Sequence, residues 1–198
     1  MSILIGVLFA FWIYLITVFH RGKLHFFKFV LGSVGTFSFL MYLFEPYLVS
    51  VLSRIVILTT GVIGEKTGYF EAFYEYSLVL IQTNQEAISL YIDYECSGVI
   101  EILAFVSLIC FFPVYNTFEK GIGCILGSLW IFISNVLRIF VICSMVYYYG
   151  NDMFYFAHTI FGRLVFYILS IILYFYTFTK AHIKRQQVGR VLYGDDAQ

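Results

Sequence analysis

Apolar residues in this chain come in long unbroken runs, and polar ones gather in the short gaps between them. A helix needs roughly 20 largely apolar residues to cross a hydrocarbon core about 30 Å thick, and five stretches reach or approach that length. They run from Ile3 to Phe19, from Phe29 to Phe44, from Val99 to Tyr115, from near Gly121 onward, and from Ile160 to Phe178. The first lacks the basic lead and small-residue cleavage site of a signal peptide, so it reads as a retained helix. Tyr47 to Ile63 is a sixth candidate. It carries Arg54 mid-segment with Ser50, Ser53, Thr59 and Thr60, follows Glu45-Pro46, and suits an interfacial amphipathic helix as well as a span. Between Gly64 and Glu95 the pattern changes. Tyr76 to Ile81 and Ile88 to Asp93, separated by the polar Gln82 to Glu86, predict two short strands joined by a turn.

Composition agrees with a membrane protein. Of 198 residues 61% are hydrophobic, and 12% are charged against about 25% in an average soluble domain. Twelve basic and twelve acidic residues cancel, so no bulk field draws in nucleic acid. Their placement is far from even. With Tyr47 to Ile63 at the surface, five spans put Arg21, Lys23, Lys28, Lys120, Lys180, Lys184, Arg185 and Arg190 on one side, as the positive-inside rule requires. A sixth crossing would send the Arg21 to Lys28 loop to the side opposite the basic C-terminus. The expected architecture is therefore an all-α polytopic bundle of five transmembrane helices, N-terminus outside and C-terminus inside. An interfacial helix and a small extracytoplasmic hairpin complete it. Residues 1–185 form one membrane domain with an insertion at 64–95, and 186–198 form a polar cytoplasmic tail.

Polar groups within spans are costly, which makes them functional candidates. Cys96-Ser97-Gly98 precedes the third span. With Ser97 as helix cap, Cys96 faces the positive end of the helix dipole, which favours thiolate; Asp93 and Glu95 oppose this. Asn135 and Arg138 share one face of the fourth span by their i, i+3 spacing. At about 1.5 Å per residue from Gly121, Arg138 lies about one turn inside the outer boundary, level with Cys96. His158 begins the fifth span at the same level, followed by Gly162 and Arg163, whereas His20, His25 and His182 face inward. A thiolate nucleophile, a histidine that moves protons and an arginine that stabilises negative charge suit acyl transfer through a thioester. The same residues also suit duller work. Cys110, Cys124 and Cys143 read as packing residues, a boundary Arg or His anchors helices, Asn135 can bridge helices, and Glu101 can pair with an arginine. No CxxC pair, metal-ligand cluster, phosphate loop or Gly-x-Ser-x-Gly elbow occurs, so no cofactor or metal is expected.

The order Cys96-Ser97-Gly98, Asn135-x-x-Arg138 and His158-x-x-x-Gly162 resembles the exosortase/archaeosortase family, over roughly Tyr47 to Phe178, and in size the short Gram-positive type. The resemblance implies a cysteine protease/transpeptidase in which Cys96 attacks, Arg138 stabilises thiolate and oxyanion, and His158 handles the proton. Ser97, Gly98, Asn135, Gly162 and Arg163 would support them. It also implies an exported, membrane-tethered substrate protein with a C-terminal sorting signal, and a lipid, glycolipid or cell-surface polymer as acceptor. The rival class is a non-enzymatic membrane assembly or lipid-carrier component in which these polar residues only stabilise packing.

Overall fold

The computed structural model describes residues 2–82, 87–92, 96–181 and 183, with side chains from Ile5 onward. The expected turn at 83–86, the acidic neighbours Asp93 and Glu95, His182, and the polar tail from Lys184 onward lie outside the described residues. Among the described residues there are five helices of more than ten residues, a short 3-10 turn at Tyr74–Tyr76 and one small sheet. Helix α1 (Ser2–Arg21) is followed by α2 (His25–Thr67), then strands β1 (Glu71–Phe73), β2 (Leu78–Gln82) and β3 (Ala87–Tyr91). Helices α3 (Val99–Phe111), α4 (Thr117–Tyr149) and α5 (Asn151–Lys180) complete the chain.

The segment Tyr47 to Ile63 is neither a separate interfacial helix nor a separate span. It continues the second apolar stretch without a break, giving one helix of 43 residues that passes through Pro46. Proline inside a helix costs about 3 kcal/mol through its lost donor and ring clash. What carries the helix onward is tertiary packing. Beyond Pro46 its buried positions, Ser53, Val56, Ile57, Thr60, Gly61 and Gly64, recur at helical spacing. Full burial contributes about 1.5–3 kcal/mol for each large aliphatic side chain, so Val56 and Ile57 alone offset the proline. At about 1.5 Å per residue α2 is about 64 Å long, twice the hydrocarbon thickness, and a helix that never reverses cannot cross back.

The third stretch is shorter than expected. Pro113 disfavours helical backbone at the residue before it, so α3 ends at Phe111, giving 13 residues and about 20 Å. Helix α4 starts earlier than Gly121, at Thr117, because Asn116 and Glu119 form a capping box there. Helix α5 likewise starts at Asn151 rather than Ile160, which places His158 in its third turn. Among the described residues α2, α4 and α5 are long and apolar enough to cross a membrane, and α1 and α3 are shorter apolar helices.

The two expected strands are present with bounds moved by one or two residues. They pair antiparallel from Leu78 opposite Tyr91 to Gln82 opposite Ala87. β1, absent from the expectation, pairs with the other edge of β2. Period-two alternation explains the sheet's position, since Val79 and Ile81 of β2 and Ile88 and Leu90 of β3 are all buried. They join Val56 and Ile57 of α2 and Val136, Ile139 and Ile142 of α4 in one apolar core that also contains Cys96. A second core forms at the other end of α3 from Phe105, Ile109, Ile131 and Phe166. Trp side chains bind neighbouring helices through backbone oxygens: Trp12 Nε1 donates to Leu31 O at 2.9 Å, and Trp130 Nε1 to Leu169 O at 3.0 Å.

Candidate active site

Cys96 lies in the turn that leads into α3. The helix cap is Gly98, with φ of 78°, rather than Ser97; a glycine takes this left-handed conformation without the steric cost a Cβ brings. Ser97 Oγ accepts a hydrogen bond from Val99 N–H at 3.4 Å instead, and the Gly98 carbonyl starts the helix by accepting from Ile102 N–H at 3.1 Å. Cys96, Ser97 and Gly98 are all buried.

Helix α4 supplies two groups from one face, as the i, i+3 spacing predicts. Asn135 Nδ2 donates to the Cys96 carbonyl at 2.6 Å, which fixes the backbone of the cysteine turn. A Cβ at Gly98 would stand at ordinary contact distance, 3.4 Å, from that same Nδ2, so it is the positive φ rather than space that favours glycine here. Asn135 Oδ1 is buried with no hydrogen-bond partner among the described residues. One turn further on, Arg138 Nη2 stands 3.8 Å from Cys96 Sγ, and its guanidinium carbon is 5.9 Å from the centre of the Phe166 ring. Arg138 is only 4% exposed. A cation this deep needs an anionic partner, and the sulfur as thiolate is in place to be one. Glu101, half-buried in the first turn of α3, is also within electrostatic reach of Arg138.

Helix α5 brings His158 to the same sulfur, with Nε2 3.4 Å from Cys96 Sγ. The backbone here is a π-helical turn over Ala157–Phe161, a distortion frequent at functional sites because it re-aims one side chain without ending the helix. Gly162 ends this turn. A Cβ on it would come within 2.6 Å of Ile142 Cδ1, so its role is to let α5 close against α4 at the level of the site. Arg163 follows on α5, half-buried.

The three residues expected to meet do meet, at hydrogen-bonding or close electrostatic distance, from three separate elements. Two aromatic supports were not foreseen. Phe154 stacks parallel to His158, with ring centroids 5.8 Å apart and planes 8° apart, and Phe166 underlies Arg138. The i, i+4 spacing of Phe154 and His158 is visible in the sequence, whereas the Phe166 contact joins two helices and leaves no local signal. Cys143 is buried in the first core, as its packing role predicts, and the four cysteines are free thiols.

A family model described as transmembrane exosortase matches residues 1–176, which includes Cys96, Asn135, Arg138 and His158. No curated protein and no solved structure matches the chain. A match over so much of the chain, on a helical membrane scaffold, identifies it: the chain belongs to the transmembrane exosortase family, a family of multi-pass, cysteine-type membrane transpeptidases.

Proposed function

We propose that this chain cleaves a C-terminal sorting signal from exported, membrane-tethered proteins through a thioester on Cys96 and passes them to an envelope acceptor. The observation that carries this reading is the sulfur of Cys96 approached by His158 Nε2 at 3.4 Å and by the Arg138 guanidinium at 3.8 Å. Opposite charge within this range favours the thiolate, the nucleophilic form.

In the first half-reaction Sγ attacks the scissile carbonyl carbon. A C–S bond forms and the carbonyl pair moves onto oxygen, where Arg138 stabilises the charge. Collapse breaks the C–N bond, and the departing nitrogen takes the proton held on His158 Nε2. In the second half-reaction an incoming amine or hydroxyl gives its proton back to Nε2 as it attacks the thioester. The C–S bond breaks and the thiolate–imidazolium pair is restored. Asn135 keeps the cysteine turn in place throughout. The sorted distribution of basic residues supports an active site on the extracytoplasmic side of the cytoplasmic membrane, with a lipid or glycolipid acceptor at that surface.

Cys96→Ala tests the reading: the variant is expected to accumulate in membranes while processing of the cognate substrate stops. Processing that continues would overturn it. Mass analysis of the product's new C-terminus then separates transfer to an acceptor from hydrolysis by water.

A further inference from the structure

In the thiolate–imidazolium pair proposed above, His158 and Arg138 are two cations facing Cys96 that repel each other, and that constrains how His158 can be held. Arg138 lies 3.8 Å from the same sulfur that His158 approaches to 3.4 Å, so the guanidinium disfavours protonation of the imidazole by like-charge repulsion. The thiolate at 3.4 Å opposes that repulsion, and a further contact that carries no net charge can add to this opposition without drawing Arg138 away from the sulfur. The face of an aromatic ring is such a contact, because it attracts a cation through its quadrupole while carrying no net charge. Phe154 supplies one: its ring is parallel to the imidazole within 8°, with centroids 5.8 Å apart, inside the range of offset stacking. Both rings are half-buried, which strengthens the attraction relative to a fully hydrated pair. The arrangement recurs on the other cation, where Phe166 lies 5.9 Å from the Arg138 guanidinium carbon. Each cation thus has the sulfur as one neighbour and an aromatic ring as another.

We propose that Phe154 is a positioning residue that orients the His158 ring and favours the imidazolium that faces Cys96 Sγ. This rests on the reading of Cys96 as the nucleophile. Among the described residues, the titratable and charged groups that face His158 from the packed elements include Cys96 from the turn before α3 and Arg138 from α4, with Glu101 of α3 within electrostatic reach of Arg138; on α5 itself Asp152 precedes it by six residues and Arg163 follows it by five, and Asp93 and Glu95 precede Cys96 in the sequence. None of these changes when Phe154 is replaced.

The test uses the full chain in detergent micelles and iodoacetamide as the probe. Alkylation of Cys96 is followed by mass spectrometry from about pH 5 to 8, where imidazole titrates, with the exposed Cys110 as reference thiol in the same sample. Phe154→Leu keeps apolar bulk and removes the ring. It is expected to slow Cys96 about three- to tenfold at neutral pH relative to Cys110. The rise of rate with pH should also move to higher pH, since a less stable imidazolium holds less thiolate. Phe154→Tyr restores a ring face and is expected to bring the rate back toward wild type. Equal rates and profiles for wild type and Phe154→Leu overturn the proposal, and so does a Phe154→Tyr rate as low as that of Phe154→Leu. If the leucine variant fails to accumulate, Phe154→Met makes the same comparison. Processing of the cognate substrate that continues in Cys96→Ala overturns the catalytic reading itself, a result distinct from either of these.

Discussion

Cys96 Sγ and His158 Nε2 stand 3.4 Å apart across a sequence separation of 62 residues. Neither lies at an ideal helix end. The cysteine sits in a turn whose carbonyl is clamped by Asn135, and the histidine sits on a π-turn that closes on α4 at Gly162. Each half of the contact depends on one polar or glycine residue that does no chemistry, so the contact can be weakened from a distance.

Arg138 is expected to be more than a charge. Arg138→Lys keeps a cation but loses the planar fork and the stacked contact with Phe166, and a compact ammonium on a shorter stem cannot occupy both positions. Processing of the cognate substrate should fall about 10²- to 10³-fold, the range for losing one oxyanion-stabilising donor. Wild-type turnover in this variant would remove Arg138 from the mechanism.

Asn135→Leu preserves approximate volume and deletes the donor to the Cys96 carbonyl. The buried carbonyl left without its partner should cost about 1–3 kcal/mol, measurable as reduced stability toward denaturant in detergent. Cys96 alkylation should slow in the same variant while Cys110 stays unchanged. A stability equal to wild type would show that the 2.6 Å bond contributes little.

Gly162→Ala should separate α5 from α4, because the new Cβ meets Ile142 at 2.6 Å. Adding Ile142→Ala in the same chain creates room for it. The double variant is expected to regain much of the activity lost by the single one, a coupling that contacting residues show and independent residues do not. Additive losses would argue against close packing at this point.

The continuity of α2 makes a topological prediction. Cysteine accessibility tags at Gly22 and at Gly68 should report opposite sides of the membrane, since a single unreversed helix of about 64 Å joins them. Tags reporting the same side would mean that the chain turns back near Pro46.

The candidate site was legible because the membrane makes polar groups scarce. Arg138 stood out within an apolar run, and its depth aligned it with Cys96 and His158 before any contact was known. The strands were legible from their alternation. What stayed hidden was decided by packing. Pro46 reads as a helix end, yet the apolar positions beyond it stay in phase against the sheet and hold the helix together. Phe112-Pro113 falls inside an apolar run, so hydropathy alone extended α3 to Tyr115. β1 is only three residues long and acquires its identity from pairing with β2. Ser97 has the side chain of a good cap, but the positive φ needed at the next position gives that place to Gly98.

Cys96 shares its apolar core with the sheet, the upper half of α2 and the upper half of α4. Cys96 is therefore not carried on a loop that can be exchanged for another. Grafting the Cys-Ser-Gly tripeptide alone onto a related scaffold would leave it without the surfaces that fix its backbone. The smallest unit that evolution or an engineer can trade is the entire cap, from the far end of α2 through β3 to the first turn of α3. Divergence among relatives in how they choose substrates is accordingly expected to appear as coordinated replacement of that block rather than as scattered changes around the cysteine.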